Sequence, residues 1–68
     1  MKNNMSGQLR KNITLGLEVN VVQKHHQRSG QLTSGTVEKI LTNSAQHPHG
    51  IKVRLSSGIV GRVQQIIG

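Results

Sequence analysis

The stretch IKVRLSSGIVGRV, residues 51–63, decides the fold of this 68-residue chain. Apolar and charged residues alternate strictly over 51–55, and apolar residues return over 59–63. A period of two is typical of a half-buried β-strand. The intervening Ser56-Ser57-Gly58 predicts a three-residue hairpin loop in which Gly58 takes the left-handed conformation. We therefore expect two antiparallel strands here.

The loop also sets the register of this hairpin. A slip of one residue would turn Lys52 and Arg54 toward the protein interior, where their charges would be costly to bury. The favoured register instead places six uncharged residues in facing pairs on one side: Leu55 with Ile59, Val53 with Gly61, and Ile51 with Val63.

The same register gathers positive charge on the other side of the hairpin. Lys52 lies directly opposite Arg62, and Arg54 lies diagonal to Arg62. Like charges that face each other across a ladder are mildly destabilising, so a sheet that keeps them favours an anionic partner. Lys39 extends this patch if its strand neighbours residues 51–55. The alternative is a basic face that is simply solvated.

Two further strands are predicted upstream of the hairpin. Over residues 17–22, Leu17, Val19 and Val21 alternate with Glu18, Asn20 and Val22, which places Val22 outward. A second strand runs over about residues 35–42, where broken alternation predicts a bulge. Polar loops occupy residues 23–31, with a turn at Ser29-Gly30, and residues 43–50. Residues 64–67 predict a short final strand or turn.

These elements predict one all-β domain over residues 13–68. Four or five short antiparallel strands, eight glycines and no amphipathic helix fit a small SH3-like (KOW-like) barrel, because closure removes exposed strand edges. An OB-like barrel is the alternative, but it usually needs more residues. Residues 1–12, MKNNMSGQLRKN, are polar and basic and predict a flexible N-terminal arm.

Composition limits what such a domain can do. Nine Lys and Arg against two Glu give a net charge of +7, which attracts polyanions. The absence of Phe, Tyr and Trp excludes an aromatic base-stacking platform and leaves Arg planes or His rings as stacking surfaces. The absence of Cys excludes a disulfide framework. No apolar run reaches the roughly 20 residues of a membrane span. The expected location of the protein is the cytoplasm.

Lys24 and Arg28 form a second basic element in the first loop. The four histidines lie in the two loops, and without Cys or nearby acids their spacing favours neither a metal site nor another cofactor site. His47-Pro48-His49 is more typical of turn geometry. Glu18 and Glu38 are the acidic residues of the chain. The sequence offers no acidic third member of a catalytic triad that would orient a His beside a Ser, so we expect a protein that is not an enzyme.

The leading hypothesis is a nucleic-acid-binding module that favours structured RNA and contacts its phosphates. The residues expected to bind are Lys52, Arg54, Arg62, Lys39, Lys24 and Arg28. The alternative is an adaptor that docks onto a protein through a sheet edge or an exposed aliphatic patch containing Val60 and Val22. Whichever role applies, we expect the chain to be a monomer, or a weak homodimer that covers Val60. We do not expect it to bind membranes.

Several segments resemble the bacterial YwbE family of small proteins. The run HPHGIKVRL (47–55), followed by GIVGRVQQI (58–66), is similar to that family, as are SGQLRKNITLGLEV (6–19) and ILTNSAQHPHG (40–50). The similarity spans residues 6–67, but members have no assigned activity, so it implies no site residues. A weaker resemblance, over Gly35-Thr36-Val37 and residues 51–63, is to KOW-type barrels of ribosomal and transcription proteins, which motivates the RNA hypothesis.

Overall fold

The computed structural model of the protein describes residues 7–68 and forms a closed antiparallel barrel. Hydrogen bonds join neighbouring strands in chain order, and the last strand closes on the first. The all-β fold and the small SH3-like barrel are therefore confirmed. The four strands are β1 (Glu18–Val22), β2 (Leu32–Ile40), β3 (Lys52–Leu55) and β4 (Val60–Ile66).

The β3–β4 hairpin has the predicted register. Val53 pairs with Gly61 and Lys52 pairs with Arg62. The three-residue loop is closed by a hydrogen bond from the Gly58 N–H to the Leu55 carbonyl, 2.8 Å. Gly58 has φ +94°, in the left-handed region that the loop requires.

β2 differs from its prediction at both ends. It begins at Leu32 rather than Gly35, because residues 32–34 pair with β1 despite their weak alternation. It ends at Ile40 rather than Thr42. The predicted bulge is confirmed, since the β2–β3 register shifts between Val37 and Lys39.

The closing segment is not a separate strand. Residues 64–66 continue β4, and the register with β1 shifts so that Gln65 pairs with Asn20 while Val63 pairs with Val21. Gln64 is the extra residue, and this irregularity lets one strand bend around the barrel. Within residues 7–68, four strands, rather than five, close the sheet.

The core is wholly aliphatic. Its most deeply buried side chains come from all four strands and from the residue that precedes β3. Val22 lies on the outer face opposite Arg62, as predicted, but its expected exposure is wrong, because it is only 9% exposed. Val22 and Gln27 line the same two surface depressions, so the loop after β1 folds beside it. The fully buried large side chains are Ile51, Leu55, Val19, Val21, Val37, Val53 and Val63.

The predicted N-terminal arm covers residues 1–12, of which 1–6 lie outside the described residues. The remainder contacts the barrel: the His47 N–H donates to the Gln8 carbonyl, and the Ile51 N–H donates to the Gly7 carbonyl. Arg10–Asn12 form a 3₁₀ turn. Flexibility of the arm stays a prediction. Within residues 7–68, no helix has the length and apolar character needed to cross a bilayer.

Candidate nucleic-acid interface

Lys52 and Arg62 meet on the outer face of the barrel, as the sequence predicts. They are direct partners across the β3–β4 ladder, which typically places Cβ atoms about 5 Å apart. Lys52 is exposed, Arg62 is half-buried, and both line one surface depression. The two cations therefore open onto the same recess and not onto opposite faces.

Lys24 joins them from a different part of the chain. It opens the 3₁₀ turn Lys24–His26 immediately after β1, and it lines the same depression as Lys52 and Arg62. β1 pairs with β4, with Val22 opposite Arg62, so the chain leaving β1 emerges beside the hairpin. We call Lys24, Lys52 and Arg62 the cation cluster.

A second row of charge flanks the cation cluster. Lys39 on β2 pairs with Arg54 on β3, so Lys39 does extend the patch. Glu38 stands at the bulge, and its Oε1 lies 3.6 Å from the Arg54 Nε. Both side chains are close to half exposed, and such a pair contributes roughly 0–1 kcal/mol to stability. The carboxylate offsets part of the charge of this row, so the cation cluster is the more positive part of the face.

Arg62 is held in place by a backbone contact. Its Nη1 donates to the Gly50 carbonyl at 3.1 Å, which ties β4 to the loop before β3. A guanidinium with one nitrogen fixed in this way retains other N–H donors for an anion. Arg62 thus anchors the loop, and this contact fixes the position of its guanidinium group.

The remaining predicted residue, Arg28, is not brought into the cluster. It is exposed in the loop after the 3₁₀ turn and has no ion pair with another described residue. Sequence reasoning missed Arg10, whose Nε donates to the Thr42 carbonyl at 3.0 Å. The Thr42 hydroxyl accepts the Lys52 N–H at 2.7 Å, so Arg10 is anchored next to the strand that carries Lys52. No periodic pattern in residues 1–12 signals that contact.

The histidines form two separate pairs. The rings of His25 and His26 lie 4.1 Å apart, and those of His47 and His49 lie 5.8 Å apart. In the part of the chain that the structure covers, no three His, Asp or Glu side chains come together as metal ligands would. The turn role predicted for residues 47–49 is confirmed, because the His49 N–H donates to His47 Nδ1 at 3.1 Å.

Comparison with known proteins finds similarity over nearly the whole chain. A family model described as "Uncharacterized conserved protein (DUF2196)" matches residues 6–66. The "Uncharacterized protein YwbE" of Bacillus subtilis (strain 168) is 57% identical over 63 residues, which cover 93% of this chain and 97% of that protein. No solved structure matches significantly.

Proposed function

This chain belongs to the DUF2196 family of uncharacterized conserved proteins and is similar to YwbE, and we propose a function from its own surface. It is a nucleic-acid-binding module, rather than an enzyme, and it favours structured RNA. The cation cluster binds phosphates of the backbone. Lys39 and Arg54 extend the contact along the neighbouring row.

The observation that carries this proposal is the convergence of three cations on one depression. Lys52 and Arg62 are partners in the β3–β4 hairpin, Lys24 comes from the distant turn after β1, and all three line the same recess. Repulsion among them disfavours this arrangement in the free protein. An anionic backbone would relieve the repulsion, and the Arg62 guanidinium would add charge-assisted hydrogen bonds.

The binding mode follows from what the surface lacks. With no Phe, Tyr or Trp in the chain, a run of successive bases cannot be stacked on aromatic side chains. Binding of a strand would then rest mainly on backbone charge and on shape, which suits a folded RNA whose phosphates occupy fixed positions. The closed barrel adds a rigid surface on which the cations keep their spacing.

Titration of a fluorescently labelled RNA hairpin at several salt concentrations tests the proposal. If the cluster neutralises about three phosphates, log K should fall against log salt with a slope of roughly −2 to −3. Affinity that does not change with salt would contradict phosphate binding.

A matched pair of single substitutions tests the position of the charge. Lys52→Ala removes one cation from the cluster, and Lys11→Ala removes one from the exposed part of the 3₁₀ turn at Arg10–Asn12. We expect Lys52→Ala to weaken binding and to reduce the salt slope by about 1, and Lys11→Ala to have a clearly smaller effect. Equal effects would show that net charge, and not the cluster, governs binding.

A protein-docking role is the second candidate, and one observation favours it. Val60 is 38% exposed and lines the same depression as the cation cluster. Strand addition is disfavoured because each of the four described strands already pairs with two neighbouring strands, so none of them is a terminal edge strand. Recovery of a partner that resists nuclease and high salt would support docking, whereas nuclease-sensitive recovery of RNA would support the proposed function.

A further inference from the structure

A second, larger depression adjoins the cation cluster. It is open to solvent and has a volume of about 590 Å³. This volume lies within the roughly 300–1,000 Å³ range of small-molecule sites. Val22 and Gln27 line both depressions, so the two adjoin at these side chains. An extended ligand that crosses these two residues would contact both depressions.

The lining of the second depression differs in kind from that of the first. Its lining contains no Lys, Arg, Asp or Glu. Val22, Leu32 and Pro48 supply apolar surface, while polar surface comes from side-chain amides. Amides are the groups that pair with the donor and acceptor edges of nucleobases. The amides belong to Gln27, Gln64 and Gln65.

His49, whose side chain is a planar ring, lines the same depression. Its backbone is fixed on both sides, because its N–H donates to His47 Nδ1 and its carbonyl accepts from Gln64 Nε2 at 3.0 Å. The side chain takes no part in either hydrogen bond. In a chain without Phe, Tyr or Trp, such a ring is one of the few surfaces on which an unpaired base can stack.

We propose that the second depression holds one unpaired nucleobase of an RNA whose flanking phosphates lie on the cation cluster. The His49 ring stacks on the base, and the glutamine amides contact its edge. This inference rests on the proposed function and narrows its target to RNA in which a bulge or loop frees a base. A perfectly paired duplex would use the cation cluster alone.

Two labelled RNA hairpins provide the test. They have the same length and the same phosphates, but one carries a single bulged adenosine and the other an abasic residue at that position. We expect the protein to bind the adenosine hairpin about fivefold more tightly, equivalent to about 1 kcal/mol. His49→Ala should abolish this preference and leave affinity for the abasic hairpin unchanged, while His49→Phe should retain the preference.

The design separates this inference from the function on which it rests. Leu15→Ala serves as the control, since Leu15 is 67% exposed and lines neither depression. Far-UV circular dichroism verifies that each variant is folded.

Equal, salt-dependent binding of both hairpins would overturn the nucleobase site and leave phosphate binding standing. No binding of either RNA would overturn the proposed function itself. A preference that survives in His49→Ala, or is lost in His49→Phe, would overturn the stacking role of His49.

Discussion

His47 stabilises its turn through a nitrogen atom that can also take a proton. Its Nδ1 accepts the His49 N–H, which requires that Nδ1 carry no hydrogen. Desolvation lowers the pKa of His47 below its ordinary value of 6.5, and the nearby charges of Arg62 and His49 lower it further. The neutral ring is therefore the form that the folded turn accommodates.

This arrangement predicts a loss of stability in mild acid. Because the pKa of His47 is lower in the folded state, the unfolded chain binds more protons near its own pKa of about 6.5. The contribution of His47 is fully present above that pH and is lost as the pH falls below it. Urea unfolding followed by far-UV circular dichroism from pH 7.5 to pH 5 measures this trend.

Substitution of His47 tests whether this residue causes the loss of stability in mild acid. His47→Asn keeps a side-chain acceptor for the N–H two residues later but does not titrate, so the acid-side slope should flatten. His25→Asn removes an exposed histidine from the other pair and should leave the slope unchanged. A slope that persists in His47→Asn would contradict the assignment.

At the scale of elements, the β3–β4 hairpin uses two glycines for different reasons. Gly58 has φ +94°, and a Cβ added there would meet nothing within 4 Å. Gly61 faces β1, and a Cβ there would lie 2.7 Å from Val21 Cγ2 and 2.8 Å from the Val22 carbonyl oxygen. The first glycine is required by backbone conformation and the second by close packing.

Alanine substitutions should separate these two requirements. Gly58→Ala introduces only conformational strain and should lower the free energy of unfolding by about 1–2 kcal/mol. Gly61→Ala forces apart the β1–β4 contact, where the nearest oxygen belongs to the backbone, and should cost more, about 3 kcal/mol. Chemical denaturation of both variants measures the difference. A Gly61→Ala variant as stable as Gly58→Ala would contradict the close approach.

At the scale of the whole molecule, positive charge opposes folding. The chain carries a net charge of +7, and within residues 7–68 one ion pair, Arg54 with Glu38, offsets it. Compaction brings like charges together, as at the cation cluster. The free protein is therefore destabilised by the same feature that suits it to a polyanion.

Salt should accordingly stabilise the free protein. Raising NaCl from 10 mM to 300 mM shortens the range of charge repulsion to less than 10 Å. Relief of about 1 kcal/mol would raise Tm by roughly 4–8 °C in a domain of this size. Thermal unfolding monitored by circular dichroism measures the change, and Lys52→Ala should show a smaller rise than the native protein. A Tm that falls with salt would contradict net repulsion.

The sequence by itself determined the β3–β4 hairpin and the positive sign of the surface charge. Strict alternation over residues 51–55 and a loop ending in Gly58 fix which side chains share a face, because strand periodicity and turn geometry act over a few residues. The pairing of Lys52 with Arg62 follows from that register alone. The bulge in β2 is also local, and it too was predicted correctly.

Only the tertiary structure decided which distant residues join that face. Closure of β1 onto β4 sets Val22 opposite Arg62 and brings Lys24 to the depression that Lys52 lines, and the loop before β3 places His49 on the wall of the neighbouring depression. These contacts span tens of residues, and no local period encodes them. They arise because a short sheet of aliphatic side chains can exclude water from its core only by curling until its edges meet.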